Sequence, residues 1–254
     1  MSINLCTDQL LMALAEPRQI AAVSRWARHG DMSFLADRAQ TIPVVRGLAE
    51  EVLRLAPDLV LAGTFSGLAT RAVLQQQGLR VESFAPPRNL PEARAEIERA
   101  ARLLGRPAAG VALLADIDSA QRDARAAPAR PVFALALQRR GYASGRDTLL
   151  SDLMGHAGLG NAAERLGIAT VERASLEAIV KARPDALVVD DASGRSSDQG
   201  TALLRHPALS RAVPAARWIE LPALLTTCAG PSLSAALRRL AAGADRIKAL
   251  PSYR

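Results

Sequence analysis

An α/β fold is what this sequence predicts, built as two similar layered lobes with mostly parallel sheets and joined by a rigid connecting helix. Three observations predict it. The phrase EVLRLAPDLVLAG, Glu51 to Gly63, returns 127 residues later as AIVKARPDALVVD, Ala178 to Asp190. Around each copy, short apolar runs alternate with helical patterns, the signature of a parallel layered lobe. Between the copies lies a stretch of helical periodicity with no strand signal. The predicted organisation is an N-terminal lobe over 1–88, a connecting helix over 89–106 and a C-terminal lobe over 107–254.

In the first lobe Ser2 to Leu5 reads as a strand and Asp8 to Ala15 as a helix with Leu10, Leu11 and Leu14 on one side. Ile20 to Val23 is a second strand and Pro43 to Val45 a short third. Within the repeated phrase Val52, Leu53 and Leu55 recur at helical spacing. Pro57 then ends the helix, because the residue before a proline is pushed out of the α region. Leu59 to Ala62 is a continuous apolar run suited to a strand buried on both faces. Ile179, Val180, Pro184 and Ala186 to Val189 repeat the pattern, and Glu50 and Glu177 stand seven residues ahead of the two prolines. Ala69 to Gln77 is a helix stopped by Gly78, and Arg80 to Phe84 a strand.

The connecting helix follows. Asn89 can cap it, Pro91 suits its first turn, and Glu92, Glu96 and Glu98 load its amino end with negative charge. Gly105 and Pro107 punctuate it, and a second helix runs from about Ala108 to Ala126. A helical joint is stiff and permits little hinge motion. The second lobe resumes with a strand at Val132 to Leu137 and a helix at Asp147 to Met154. The repeated unit follows at Leu176 to Ala182 with Leu187 to Val189, then a strand at Trp218 to Leu221 and a closing helix at Ser232 to Ala242.

With 254 residues, 49% of them hydrophobic, each lobe can bury a core. No apolar run approaches the roughly 18 residues a membrane-spanning helix needs. The strand-like SINL directly after Met1 is not a leader pattern, so the expectation is a non-spanning chain that is either cytosolic or secreted without its leader. A net charge of +7 would suit a polyanion, but the arginines are spread without a basic block and aromatics are only 3%. Nucleic acid is therefore not the expected partner. Cys6 and Cys228 have no zinc-ligand spacing; they can pair only if their Cα atoms come within about 7 Å, and the alternative is two small thiols near helix starts.

Several motifs match in letters alone. GLGNAA, Gly158 to Ala163, mimics a dinucleotide fingerprint but follows a helical pattern rather than a strand, so it reads as a helix stop and turn. The phosphate loop, GxSxG and HExxH are absent, and His29, His156 and His206 lack ligand spacing. No cofactor, resident metal or catalytic site is expected. TCAGPSLSAALRRLA, Thr227 to Ala241, puts glycine and proline at a helix start, where exposed N–H groups can receive an anion or simply begin a helix.

In open α/β sheets ligands bind beyond the carboxyl ends of the strands. Arg25, Trp26 and Arg28 follow one predicted strand and Thr64, Phe65 and Ser66 another. Gln138, Arg139, Arg140 and Tyr142 follow a third, Asp190 and Asp191 a fourth, and Leu225, Thr226, Thr227 and Cys228 a fifth. Trp26 and Tyr142 offer flat faces, and Arg25, Arg139 and Arg140 offer forked donors for carboxylate or catecholate oxygens. Any surface loop of an arginine-rich chain holds arginines, whereas a loop tryptophan is less easily explained by composition.

SINLCTDQLLMALAEPRQIAAVS, LAEEVLRLAPDLVLAG, YASGRDTLLSDLMGHAGLGNAA, SLEAIVKARPDALVV and CAGPS together resemble the class III periplasmic substrate-binding proteins of ABC importers, which handle vitamin B12, ferric siderophores and heme. The resemblance runs through almost the whole chain in order. It implies two lobes with a ligand cleft between them, a monomeric and non-enzymatic protein, and a periplasmic location, free or lipid-anchored. It also implies delivery of a metal chelate to a permease dimer with its ATPase subunits. Glu50 and Glu177 fall where the family places one docking carboxylate per lobe, each pairing with permease arginines. Arg25, Trp26, Phe65, Arg139, Arg140, Tyr142, Asp191, Leu225, Thr226 and Thr227 are the expected ligand-binding residues. Trp26 and Tyr142 match aromatic positions of the B12-binding members, but Leu225 stands where those members have tryptophan. With few aromatics and several arginines, an anionic ferric siderophore is the expected ligand, with a corrinoid or heme as the alternative. The rivals are an α/β enzyme using a nucleotide or metal cofactor, which needs a phosphate-binding turn after a strand, and an interaction domain with an empty cleft.

Overall fold

The computed structural model describes residues 1–124, 132–190 and 202–251. The chain divides into two compact units. The first is Met1–Pro87, Pro91–Ile117 and Ala223–Leu233; the second is Arg88–Leu90, Asp118–Pro222 and Ser234–Arg254. The sequence reading placed 223–233 in the second lobe, whereas a disulfide ties this segment into the first unit.

The first unit opens with α1 (Leu5–Leu14), capped by Asn4, whose Oδ1 accepts from the backbone N–H groups of Cys6 and Thr7. Eight of its ten residues are buried, so it is a core helix rather than a surface one. There follow β1 (Val23–Ser24), α2 (Ala36–Ala39), β2 (Val44–Val45), α3 (Ala49–Leu55), β3 (Val60–Gly63), α4 (Leu68–Gln76) and β4 (Val81–Phe84). β1 pairs in parallel with β2, and β3 with β4. The first three residues join the pairs: Ser2 N–H donates to Ala22 C=O at 3.1 Å and Ile3 N–H to Leu61 C=O at 3.0 Å. α5 (Leu90–Leu103) and α6 (Pro107–Ala124) come next. Their corner is held to the end of α1, since Gln19 Nε2 donates to Leu104 C=O at 3.0 Å and Arg106 pairs with Glu16.

The second unit contains β5 (Val132–Ala136), β6 (Tyr142–Ser144), α7 (Leu149–His156), β7 (Leu159–Asn161), β8 (Val171–Arg173), α8 (Leu176–Ala182), β9 (Ala186–Val189), α9 (Pro207–Ala212) and β10 (Trp218–Glu220). Then α10 (Ala223–Thr226), in the first unit, leads to α11 (Leu233–Ala249). A four-stranded sheet runs in the order β10-β9-β5-β7 with every pairing parallel. β9 is buried at all four positions, as its unbroken apolar run requires. Among the described strands, β6 and β8 pair antiparallel, with Tyr142 opposite Arg173, and Leu137 and Ala143 form an isolated antiparallel bridge.

The duplicated phrase repeats as backbone geometry. Ala56 after α3 has φ 41° and ψ 54°, and Arg183 after α8 has φ 47° and ψ 60°. Both residues before proline thus leave the right-handed helix for the left-handed region, not for the extended conformation their neighbour usually imposes. Pro57 and Pro184 are buried, and Val52 and Ile179 fill matching core positions.

Four expectations are corrected. Only the first residues of Ser2 to Leu5 make strand-like bonds, because Asn4 starts a helix at Leu5. GLGNAA is not merely a turn: Leu159 to Asn161 form β7 beside β5, and Asn161 caps the following 3-10 turn. Thr148 starts α7 at Leu149, its hydroxyl accepting from Ser151 N–H, so Asp147 lies outside it. The closing helix extends to Ala249.

Cys6 and Cys228 form a disulfide with Cα atoms 5.0 Å apart and a separation of 222 positions in sequence. Replacing both with serine is expected to lower stability by about 2–5 kcal/mol, read as a lower urea midpoint. A midpoint unchanged by the replacement would count against the bond as a fold element.

Asp8 in α1 is buried, and its carboxylate accepts from Ser24 N–H at 2.9 Å and Ser24 Oγ–H at 2.5 Å. Burial pushes its carboxyl up from 3.8 to about 6, against hydrogen bonds from Ser2 and Ser24 that pull it down. A raised folded value means that between about pH 4 and 6 the folded chain keeps a proton the unfolded chain has lost. Stability therefore falls as pH rises through that window, by about 3 kcal/mol in all. In Asp8→Asn the slope should disappear from urea midpoints measured across the same range.

Candidate functional site

The carboxyl ends of β1 and β3 carry the first group of candidate residues, and the amino end of α1 holds the loops they sit on. Past β1, a 3-10 turn over Arg25–Arg28 begins at Ser24, the residue bound by Asp8. Arg28 closes the turn, donating through Nε to Ala39 C=O at 3.1 Å and through Nη2 to Ile42 C=O at 2.7 Å. This leaves Trp26 42% exposed, with the Arg25 guanidinium 4.7 Å from its ring centre and the His29 ring tilted against it at 5.2 Å. A tryptophan so placed is a flat apolar platform next to two nitrogen-bearing groups.

Past β3, Asn4 Nδ2 donates to Ser66 Oγ at 3.1 Å, fixing the Thr64–Ser66 loop. Gly63 permits this approach, because a Cβ there would lie 2.7 Å from Ser66 Oγ and 2.8 Å from Asn4 Nδ2. Phe65 at the loop tip is 81% exposed. The third loop, Leu225 to Cys228, is fastened by the disulfide to Cys6. Within it the Thr226 and Thr227 hydroxyls donate back to Ala223 C=O, at 3.4 and 2.8 Å, and Leu225 is only 6% exposed. Leu225 packs as a core residue, and the two hydroxyls are engaged by the helix they end.

In the second unit Arg139, Arg140 and Tyr142 occupy a tight reversal after β5. Gln138 N–H donates to Tyr142 C=O at 2.7 Å and Gly141 N–H to Gln138 C=O at 3.3 Å. Arg140 and Gly141 both have positive φ, 60° and 76°. An arginine in that region costs about 1–2 kcal/mol, a cost the surrounding bonds must offset. Gly141 has little alternative, since a Cβ would meet Leu203 at 3.0 Å and Ala174 C=O at 3.2 Å. Both arginines are exposed, and Tyr142 is 38% exposed. Asp190 follows β9 and is partly buried; Asp191 lies outside the described residues.

Glu50 and Glu177 are exposed and occupy the same place, the second residue of α3 and of α8. A carboxylate there complements the positive helix end. Glu177 is held below the usual carboxylate range by its own backbone N–H and by the Ser175 side chain. Asn4 and Asp8, four apart on the opening segment, bind two loops and were not among the expected site residues. Polar residues inside an apolar core stretch were the available signal.

Among the described residues no group of three or more His, Cys, Asp or Glu could hold a metal ion. No described helix is long and apolar enough to cross a membrane.

Residues 1–223 match the family described as periplasmic binding protein. The periplasmic heme-binding protein RhuT from Roseiflexus sp. RS-1, solved in apo form, is 27% identical, with a TM-score of 0.77 and 97% of each chain covered. The periplasmic heme-binding protein BhuT, solved in complex with two hemes, is 26% identical, with a TM-score of 0.75 and the same coverage. The periplasmic heme-binding protein HutB of Vibrio cholerae shares the fold at 19% identity, with a TM-score of 0.78 over 95% of this chain and 96% of its own. No protein of curated function matches. The chain belongs to the periplasmic binding protein family, the substrate-binding components of ABC importers.

Proposed function

We propose that this protein captures an iron chelate in the periplasm, heme before all others, and hands it to a permease with its ATPase subunits. One observation carries the choice of heme: two solved structures more than 25% identical to the chain, matched over 97% of each chain, are both heme-binding proteins. The exposed side chains support it chemically. Trp26 and Phe65 of the first unit and Tyr142 of the second are flat apolar surfaces, the kind a porphyrin covers. Arg25, Arg139 and Arg140 carry the forked donors that two propionates require. Among the described residues Tyr142 is the only phenol, an oxygen donor of the type that ligates ferric heme in some proteins.

A ferric siderophore is the second reading, favoured by the same exposed guanidiniums and by an aromatic content of only 3%. A corrinoid has less support, because Leu225 is buried where a wall would be needed.

Fluorescence decides among them, since Trp218 is buried and Trp26 is the exposed indole. Hemin should quench Trp26 saturably, and at one hundred times its dissociation constant it should add about 2.7 kcal/mol of stability. Ferric siderophores or cobalamin producing that response, with hemin inert, would shift the assignment to them.

Glu50 and Glu177 are proposed as the acidic contacts for the permease, one in each unit. Reversing both to arginine should reduce ligand-stimulated ATP hydrolysis by the reconstituted importer at least about tenfold, which is about 1.4 kcal/mol. Hemin affinity should be unaltered. Unchanged ATP hydrolysis would reduce both residues to helix-end charges.

A further inference from the structure

The chain enters the first unit for the last time at Ala223 and leaves it after Leu233, while the segments on either side belong to the second unit. This short passage holds α10, the Thr226 and Thr227 hydroxyls and Cys228. Among the described residues, the hydrogen bonds of Ala223 to Ser232 stay within the passage. Thr227 N–H and both threonine hydroxyls donate to Ala223 C=O, Ser232 Oγ donates to Cys228 C=O at 3.2 Å, and Gly230 C=O accepts from Leu233 N–H at 3.1 Å. Three things join the passage to α1: the bond from Cys228 to Cys6, the approach of Cys6 Sγ to Thr227 C=O at 3.6 Å, and the packing of Gly230 against Leu10. The disulfide is the strong one.

Its two sulfurs are not equally placed. Cys228 is 2% exposed, whereas Cys6, in the first turn of α1, is partly exposed. Thiol–disulfide exchange needs a thiolate to reach one of the two sulfurs, so access decides which cysteine is attacked. A thiolate arriving from solvent meets Cys6.

We infer that Cys6 is a thiol-exchange site at which a dithiol oxidoreductase opens and closes the bond, and that opening it releases the Leu225 to Cys228 loop from α1. The inference rests on the place of that loop in the candidate site, not on the identity of the chelate. One thiolate of the partner attacks Cys6 Sγ, and the S–S bond breaks. Its electron pair leaves on Cys228 Sγ, which takes a proton from water. The partner's second thiolate then attacks the sulfur bridging it to Cys6, forming the partner's own disulfide, and Cys6 leaves as a thiolate that is protonated in turn. Two electrons pass from partner to chain, and the reverse sequence closes the bond. The candidate site thereby loses, or regains, one of the three loops that the first unit gives it.

The test uses the whole oxidised chain without denaturant and two probes: dithiothreitol, and a thioredoxin variant lacking its resolving cysteine. The thioredoxin variant should be trapped as a mixed disulfide on Cys6, with Cys228 of the same molecule alkylated by iodoacetamide, both placed by peptide mass mapping. In dithiothreitol, amide exchange at Thr227 and Leu233 should rise at least about tenfold more than at Leu187 to Val189 of the second unit, with a cooperative thermal transition retained. Replacing both cysteines with serine should give the same exchange pattern without reductant. Trapping on Cys228, or no trapping until urea unfolds the chain, overturns the exchange site. A rise at Thr227 and Leu233 no larger than that at Leu187 to Val189 overturns the release of the loop. Neither readout involves a ligand, so either failure leaves the heme reading to stand or fall by hemin titration.

Discussion

Three loops of the first unit are tied to the amino end of one buried helix. Within five residues, Asn4, Cys6 and Asp8 each reach a different loop. Asn4 caps the helix with one atom of its amide and holds Ser66 with the other. Cys6 is covalently joined to Cys228, and Asp8 accepts two hydrogen bonds from Ser24. A buried helix has little freedom to move, so loops fastened to it inherit its position. Exposed aromatics such as Trp26 and Phe65 can therefore stand in solvent without collapsing onto the core. The disulfide also suits the compartment of the family, since such bonds persist where the surroundings are oxidising.

The duplicated phrase is a second constraint of a different kind. Each copy ends a short helix on a left-handed non-glycine residue and turns into a buried strand through a buried proline. The sharp reversal sets the helix start, and with it Glu50 or Glu177, at a set distance in sequence from a central strand. Two units made this way present the same acid at the same helix position, one each. An importer with two equivalent permease subunits has use for two such acids; a single-site partner would not.

Much of this was legible in the sequence, because period and proline placement report backbone state directly. The repeated helix, corner and strand, the parallel pairing and the run at Ala186 to Val189 all follow from local pattern. What was not legible depends on atoms distant in the chain. Ser2 to Leu5 is apolar enough for a strand, and the capping bonds that Asn4 accepts from Cys6 and Thr7 decide for helix. Cys6 and Cys228 could not be paired without coordinates, and so 223–233 could not be assigned to the first unit. Leu225 follows a strand and looked outward, yet it is buried, because position after a strand says nothing about which way a side chain turns.

The most direct test of the hold exerted by α1 is residue-resolved native-state hydrogen exchange on Asn4→Ala and Asp8→Ala. If α1 governs the loops one by one, Asn4→Ala accelerates exchange at Ser66 while His29 stays protected, and Asp8→Ala does the reverse. Amides of Leu187 to Val189 in the second unit should exchange as in the unaltered protein in both cases. Exchange that rises uniformly through the first unit, or at neither loop, would contradict the account.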